Sequence, residues 1–211
     1  MAYVTKSFSE LTLEEQSYAG GKGGSLAKLV QAGYPVPDGF VVLPAAFEED
    51  ALTADAWAQV RARVTRLRQA DPEVAFAVRS SAMSEDSAQA SFAGEFETVL
   101  DVHSEEMVRE AIRVVRRSRH SERVRAYSQA QGLEASHDMA IVVQSLVRAE
   151  MSGVLFTADP VTGSRLHMTG NYVFGYGEEL VSGEAEPYTF TLERPKGRFD
   201  GPDSMHRQAA R

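Results

Sequence analysis

The sequence predicts an α+β protein. Helical spacing of apolar residues dominates positions 1–135, and β-branched and aromatic runs dominate 136–194. Positions 195–211 are rich in Gly, Pro and charge and read as a tail or linker. Nucleotides commonly bind between two such lobes.

Each element has a local signal. Residues 23–31 carry Leu26, Leu29 and Val30 at helical spacing and stop at Gly33, so a helix begins inside the cluster Gly20-Gly21-Lys22-Gly23-Gly24. Residues 40–43 form a short buried strand ended by Pro44. Residues 45–69 predict one or two helices broken near Thr53. Residues 76–78 form a strand that runs directly into Arg79, and 80–87 form a small, polar loop. Residues 98–102 alternate as a strand. The longest helical pattern runs over 104–131, with Ser104 as cap and Glu105 and Glu106 in the first turn. Strands follow at 140–147, 153–157, 166–174 and 188–192, separated by Asp159-Pro160, Thr162-Gly163 and the pair Gly175 and Gly177. They predict an antiparallel sheet. No internal repeat is visible.

Composition narrows the function. A chain of 211 residues buries roughly 70% of its unfolded surface, enough for one large domain or two small lobes. The net charge of −8 argues against nucleic acid or an anionic membrane as partner. There are no cysteines, which excludes disulfides, thiolate metal sites and Cys nucleophiles. Residues 1–15 lack a basic start followed by an apolar stretch, so no signal peptide is expected. The longest apolar runs are too short to cross a bilayer, and a soluble cytoplasmic protein is the expectation.

Residues 104–131 carry seven arginines: Arg109, Arg113, Arg116, Arg117, Arg119, Arg123 and Arg125. They read as a solvated helix face with acidic partners, or as a nucleic-acid surface. The five histidines show no metal-ligand spacing.

Three segments combine backbone N–H groups or cations with apolar runs, as a polyphosphate requires: residues 20–24, 78–81 and 91–98. The first is not a Walker A loop, because Lys22 is followed by Gly23 and not Ser or Thr. It reads as an anion loop with Lys22 as a mobile charge, or as a surface turn. Arg79 makes either a structural salt bridge or a two-pronged phosphate contact. Gly94 lies in a polar and aromatic loop that either closes over phosphates or turns a hairpin. Gly175-Tyr176-Gly177-Glu178 lacks the third glycine of a dinucleotide fingerprint. Glu178 either orients a ribose hydroxyl or metal, or starts a helix as an N-terminal acid.

Together these segments resemble a known family. Gly20-Gly21-Lys22-Gly23-Gly24-Ser25-Leu26, followed by Gly33-Tyr34-Pro35-Val36-Pro37-Asp38-Gly39-Phe40, resembles the opening of the nucleotide-binding domain of phosphoenolpyruvate synthase and pyruvate phosphate dikinase. Phe76-Ala77-Val78-Arg79-Ser80-Ser81-Ala82, with Glu85-Asp86 and Ser91-Phe92-Ala93-Gly94, is similar to that family's second signature. Val142-Val143-Gln144-Ser145-Leu146-Val147, Ser152-Gly153-Val154-Leu155-Phe156-Thr157 and Gly177-Glu178-Glu179-Leu180-Val181-Ser182-Gly183 resemble the third, fourth and fifth.

The resemblance implies an ATP-grasp-like fold over residues 1–194, with ATP between two lobes and Mg2+ as companion ion. It implies that Lys22 and Arg79 hold the phosphates with Gly21 and Gly23, and that Ser91, Gly94 and Thr98 cover them. It further implies that Gln144 and the backbone of Ser145, Leu146 and Val147 line the adenine, and that Glu178 lies near the ribose or outgoing phosphate. The family's magnesium carboxylates lie beyond the fifth signature, so the resemblance assigns no metal ligand in this chain, and the fold is expected to be incomplete there. The phosphohistidine domain is likewise expected on another domain or chain. Three readings follow: the ATP-binding part of a phosphotransferase, a non-catalytic nucleotide-binding or regulatory module, and a small standalone kinase.

Overall fold

A computed structural model describes residues 3–82, 86–87, 90–91, 97–122, 139–193 and 198–200. The chain forms two compact units, Met1–Val147 and Arg148–Arg211.

The first unit contains, in order, β1 (Thr5–Ser7), α1 (Leu13–Tyr18), α2 (Gly20–Gln31), β2 (Gly39–Val42), β3 (Phe47–Glu48), β4 (Ala51–Leu52), α3 (Ala54–Ala70), β5 (Phe76–Ala82), β6 (Asp86–Ser87), β7 (Ala90–Ser91), β8 (Thr98–Val102), α4 (Glu105–Arg117) and β9 (Met139–Ser145). Its frame is a five-stranded antiparallel sheet, ordered β1-β2-β9-β5-β8. Side chains alternate across the sheet and build two cores. Phe40, Val42, Phe76, Val78, Ile141 and Val143 pack under α3 and α4. Val41, Ala140 and Val142 pack with Ala19, Ala27, Phe8 and Leu11 on the side of α1 and α2. The central strand β9 is therefore covered on both faces, and Met139 to Gln144 are all buried.

Helix starts follow the caps. Thr12 and Glu15 form a reciprocal capping box at α1. Thr53 Oγ1 accepts from the Ala56 N–H at α3, and Ser104 Oγ from the Met107 N–H at α4. Thr53 thus begins a helix where the sequence predicts a break between helices. The stretch before it is not helical. Pro44–Ala46 makes one 3-10 turn, and Phe47 to Leu52 forms the hairpin β3–β4. Two arginines hold that hairpin's tip: both Arg116 and Arg119 donate to the Glu49 carbonyl, at 3.2 and 3.1 Å. Glu49 has a left-handed φ of 55°, which a non-glycine residue adopts at a cost.

Three further expectations change. The glycine cluster is not a loop preceding a helix, because α2 begins at Gly20. Strand β5 continues through Ala82, so Arg79 lies mid-strand rather than at a sheet end. Helix α4 ends at Arg117 and a 3-10 turn, Ser118–His120, follows; Arg123 and Arg125 lie outside the described residues. In β8 the register shifts between the partners of Phe76 and Val78. The extra residue lets Val99 and Val102 both face the core under α4, with Asp101 at φ 58°.

The second unit is an antiparallel meander: β10 (Met151–Phe156), β11 (His167–Phe174), β12 (Tyr188–Glu193) and β13 (Arg198–Asp200), with α5 (Glu178–Ser182) between β11 and β12. The segment expected to be a tail thus contributes β13, paired with β12. One face gathers Tyr172, Phe174, Tyr188 and Phe190; Tyr172 and Tyr188 stack at 5.1 Å. A Cβ on Gly170 would sit 2.2 Å from the Phe190 ring, so only glycine lets that ring lie on the sheet. Among the described residues, no helix is long and apolar enough to cross a membrane.

Candidate nucleotide-phosphate site

The glycine cluster opens α2 without a side-chain cap of its own, since the N-cap is Ala19. The cap comes from β5. Ser81 Oγ donates to the Ala19 carbonyl at 2.6 Å and accepts the Gly23 N–H at 2.9 Å. Ser81 is fully buried. The approach depends on glycine: a Cβ on Gly20 would lie 2.1 Å from the Ser81 carbonyl oxygen, and Gly20 has φ +73°. A Cβ on Gly23 would lie 3.2 Å from Val41, and one on Gly24 2.8 Å from the Gln16 carbonyl oxygen. Gly20, Gly23 and Gly24 thus serve close packing of α2 on the sheet and on α1, and the Gly23 amide is committed inside the protein. Gly21 and Lys22 are half-buried in the same first turn.

Arg79 is exposed in the middle of an otherwise buried strand. Ser81 lies two positions along, on the same face, a spacing of about 7 Å. That face is the one α2 covers. The cross-strand partner of Arg79 on β8 is Thr98, which is half-buried. The fold therefore brings the Lys22 turn, Arg79 and Thr98 to one side of one sheet. Among the described residues Arg79 has no carboxylate partner. Arg61, Arg63, Arg113 and Arg119 each have one, in Glu105, Glu10, Glu110 and Asp50.

The candidate adenine segment is largely occupied. Gln144 is buried, and its Nε2 donates to the Pro37 carbonyl at 3.0 Å. The Ser145 N–H donates to the Asp38 carbonyl and the Leu146 N–H to the Ala75 carbonyl, both at 2.8 Å. Gln144 thereby anchors the turn before β2. Val147 is exposed. Glu178 belongs to the second unit, as the exposed first residue of α5. Ser91 is the last residue of β7, and Gly94 lies outside the described residues.

Ser81 lies in the segment 78–81 singled out in the sequence, but its bonds to the start of α2 were not legible there. Its only local signal was a serine two positions after an arginine in a strand, which says nothing about a helix some sixty residues earlier.

Among the described arginines of α4 and the turn after it, Arg109, Arg113, Arg116 and Arg119 have partners. Arg113 bonds Glu110, and Arg109 lies over the Trp57 ring. Buried Arg116 donates to the Met139 carbonyl at 2.7 Å and stacks on Phe47. Arg119 and His120 both meet Asp50. A cavity of about 650 Å³ lies between this helix and the β3–β4 hairpin, lined by Phe47, Leu52, Ile112 and Arg117 among others. It belongs to the α3 and α4 side of the sheet, opposite the face of Arg79. Among the described residues, no group of three or more His, Asp or Glu side chains could hold a metal ion.

Comparison with known proteins agrees with the resemblance. A family model described as pyruvate phosphate dikinase, AMP/ATP-binding domain matches residues 43–209. That span includes Arg79, Thr98, Gln144 and Glu178, and begins after Lys22. The chain is 35% identical over 202 residues to the uncharacterized phosphotransferase YvkC of Bacillus subtilis, covering 86% of this chain and 24% of that protein. It is 33% identical over 222 residues to a probable phosphoenolpyruvate synthase of Archaeoglobus fulgidus, covering 86% and 29%. It is 34% identical over 211 residues to a rifampicin phosphotransferase of Streptomyces, covering 82% and 24%. The chain thus spans about a quarter of the length of these relatives. On the extent of the family match and these identities, the chain belongs to the pyruvate phosphate dikinase AMP/ATP-binding domain family.

Proposed function

We propose that this chain binds ATP through an ATP-grasp-like fold and holds it for phosphoryl transfer. The acceptor, a phosphohistidine or a small molecule, is supplied by another domain or chain. The observation that carries this reading is Arg79: an exposed guanidinium without a carboxylate partner among the described residues, two residues from the serine that docks the start of α2. A cation without a carboxylate among the described residues, in a protein of net charge −8, is available to an anion.

Lys22 and Arg79 hold the phosphates, and Thr98, beside Arg79, contributes a hydroxyl. Gln144 acts by fixing the turn before β2, and Ser145 to Val147 offer backbone and apolar surface to the adenine. Glu178 is assigned to the ribose or outgoing phosphate. Phosphoryl transfer asks the protein mainly to position the groups and offset charge, so fixed cations matter more than a general base. Magnesium, when bound, neutralises phosphate charge; no described residue is assigned to it.

The test is isothermal titration of the 211-residue chain with ATP, with and without magnesium, for the native protein, Lys22→Ala and Arg79→Ala. A charged hydrogen bond contributes about 1.5–3 kcal/mol, so each variant should bind roughly 10- to 150-fold more weakly. Unchanged affinity in both variants places the phosphates elsewhere. Absence of binding by the native chain removes the reading. Turnover of ATP on adding a domain that carries the acceptor histidine would support the phosphotransferase role over a purely regulatory one.

A further inference from the structure

We infer that Ser81 is a positioning residue for the phosphate site: its buried hydroxyl staples the first turn of α2, and with it Lys22, to the strand that carries Arg79. The inference rests on the ATP-binding reading for its consequence, and on geometry for the staple itself.

Two independent observations meet at this residue. The hydroxyl is used twice, as donor to the Ala19 carbonyl at 2.6 Å and as acceptor from the Gly23 N–H at 2.9 Å. These two groups flank Lys22 in the opening turn of α2, and an N-cap alanine cannot satisfy either with its own side chain. Separately, Gly20 lacks a Cβ where one would fall 2.6 Å from Ser81 Oγ and 2.1 Å from the Ser81 carbonyl oxygen. Helix and strand are thus in backbone contact at this point, with the hydroxyl as the connecting group.

The consequence concerns spacing. A lysine on a four-carbon stem and an arginine on a strand bind one polyphosphate well only if their backbones hold a fixed separation. Helix α2 and β5 are 58 residues apart at the bond between Gly23 and Ser81, so no local chain geometry sets that separation. The staple sets it. Removing the hydroxyl leaves a buried N–H and a buried C=O to find other partners, and the first turn gains freedom while the sheet stays intact.

The experiment compares the native chain with Ser81→Ala and Ser80→Ala. Ser80 is also buried, but β5 alternation points it to the opposite face. Hydrogen exchange of the Gly20 to Gly23 amides is measured without nucleotide, and ATP affinity by titration. Ser81→Ala should speed exchange at these amides and weaken ATP about tenfold, equivalent to about 1.4 kcal/mol. Ser80→Ala should do neither. Faster exchange with unchanged ATP affinity, or equal losses in both variants, overturns the positioning role. Unchanged exchange in Ser81→Ala overturns the staple. If the native chain does not bind ATP, the ATP-binding reading fails, and exchange alone decides the staple.

Discussion

Replacing Gly20 by alanine should destabilise the first unit far more than replacing Gly33, although both glycines adopt left-handed φ, +73° and +83°. The conformational cost is shared. An alanine held in that region loses about 1–2 kcal/mol relative to glycine. The steric cost is not shared. A Cβ at Gly33 meets nothing within 4 Å, whereas one at Gly20 falls 2.1 Å from the Ser81 carbonyl oxygen. That oxygen belongs to a buried strand and cannot rotate away, so α2 must shift off the sheet. Overpacking of this kind adds about 1–3 kcal/mol. Gly20→Ala should therefore lose about 2–5 kcal/mol and Gly33→Ala about 1–2 kcal/mol, against a total stability of about 5–15 kcal/mol for a typical protein. The assay is equilibrium urea unfolding followed by fluorescence of Trp57, the only tryptophan, which packs against the first unit's core. Equal losses in the two variants would show that the close approach of α2 to β5 contributes nothing, and would refute the reasoning.

Two other outcomes follow from buried or paired charge. Arg116→Met keeps an apolar stem but removes the donors to the Met139 and Glu49 carbonyls; because Asp50 keeps Arg119, the loss should be about 2–3 kcal/mol in the same urea assay, and a loss under about 0.5 kcal/mol would remove Arg116 as the hairpin's anchor. Glu10 is held by its bond to Arg63 at a pKa of about 2, lowered from 4.5. A carboxyl lowered on folding stabilises the protein above its unfolded pKa and loses that contribution as pH falls toward the folded value. The native chain should thus exceed Glu10→Gln in stability at pH 7 by about 1 kcal/mol, allowing for solvent screening of a half-exposed pair. The gap should close between pH 4.5 and 2, and a gap unchanged over that range would exclude the ion pair as its source.

The amino-acid sequence by itself determined the features that short-range chemistry encodes. Ser104 with Glu105 and Glu106 marks a helix start because a cap acts on its own first turn. The apolar run at 140–147 marks a strand, found at Met139–Ser145, because burial on both faces needs nothing else. The ordered signatures carried the family, and through it the proposal that Lys22 and Arg79 hold phosphates. Tertiary structure decided the rest. Residues 45–52 read as helical, yet Arg116 and Arg119 hold Glu49 in a hairpin tip from nearly seventy residues away. The glycine cluster read as a loop, yet it is the opening of a helix whose cap is Ser81. Gln144 read as an adenine contact, and the bond of its Nε2 to the Pro37 carbonyl was not legible beside that. The short run at 198–200 became a strand only because β12 offered an edge. In each case the deciding hydrogen bond joins residues that are distant in the chain or on separate strands, and residue spacing along one segment holds no record of which partner will arrive.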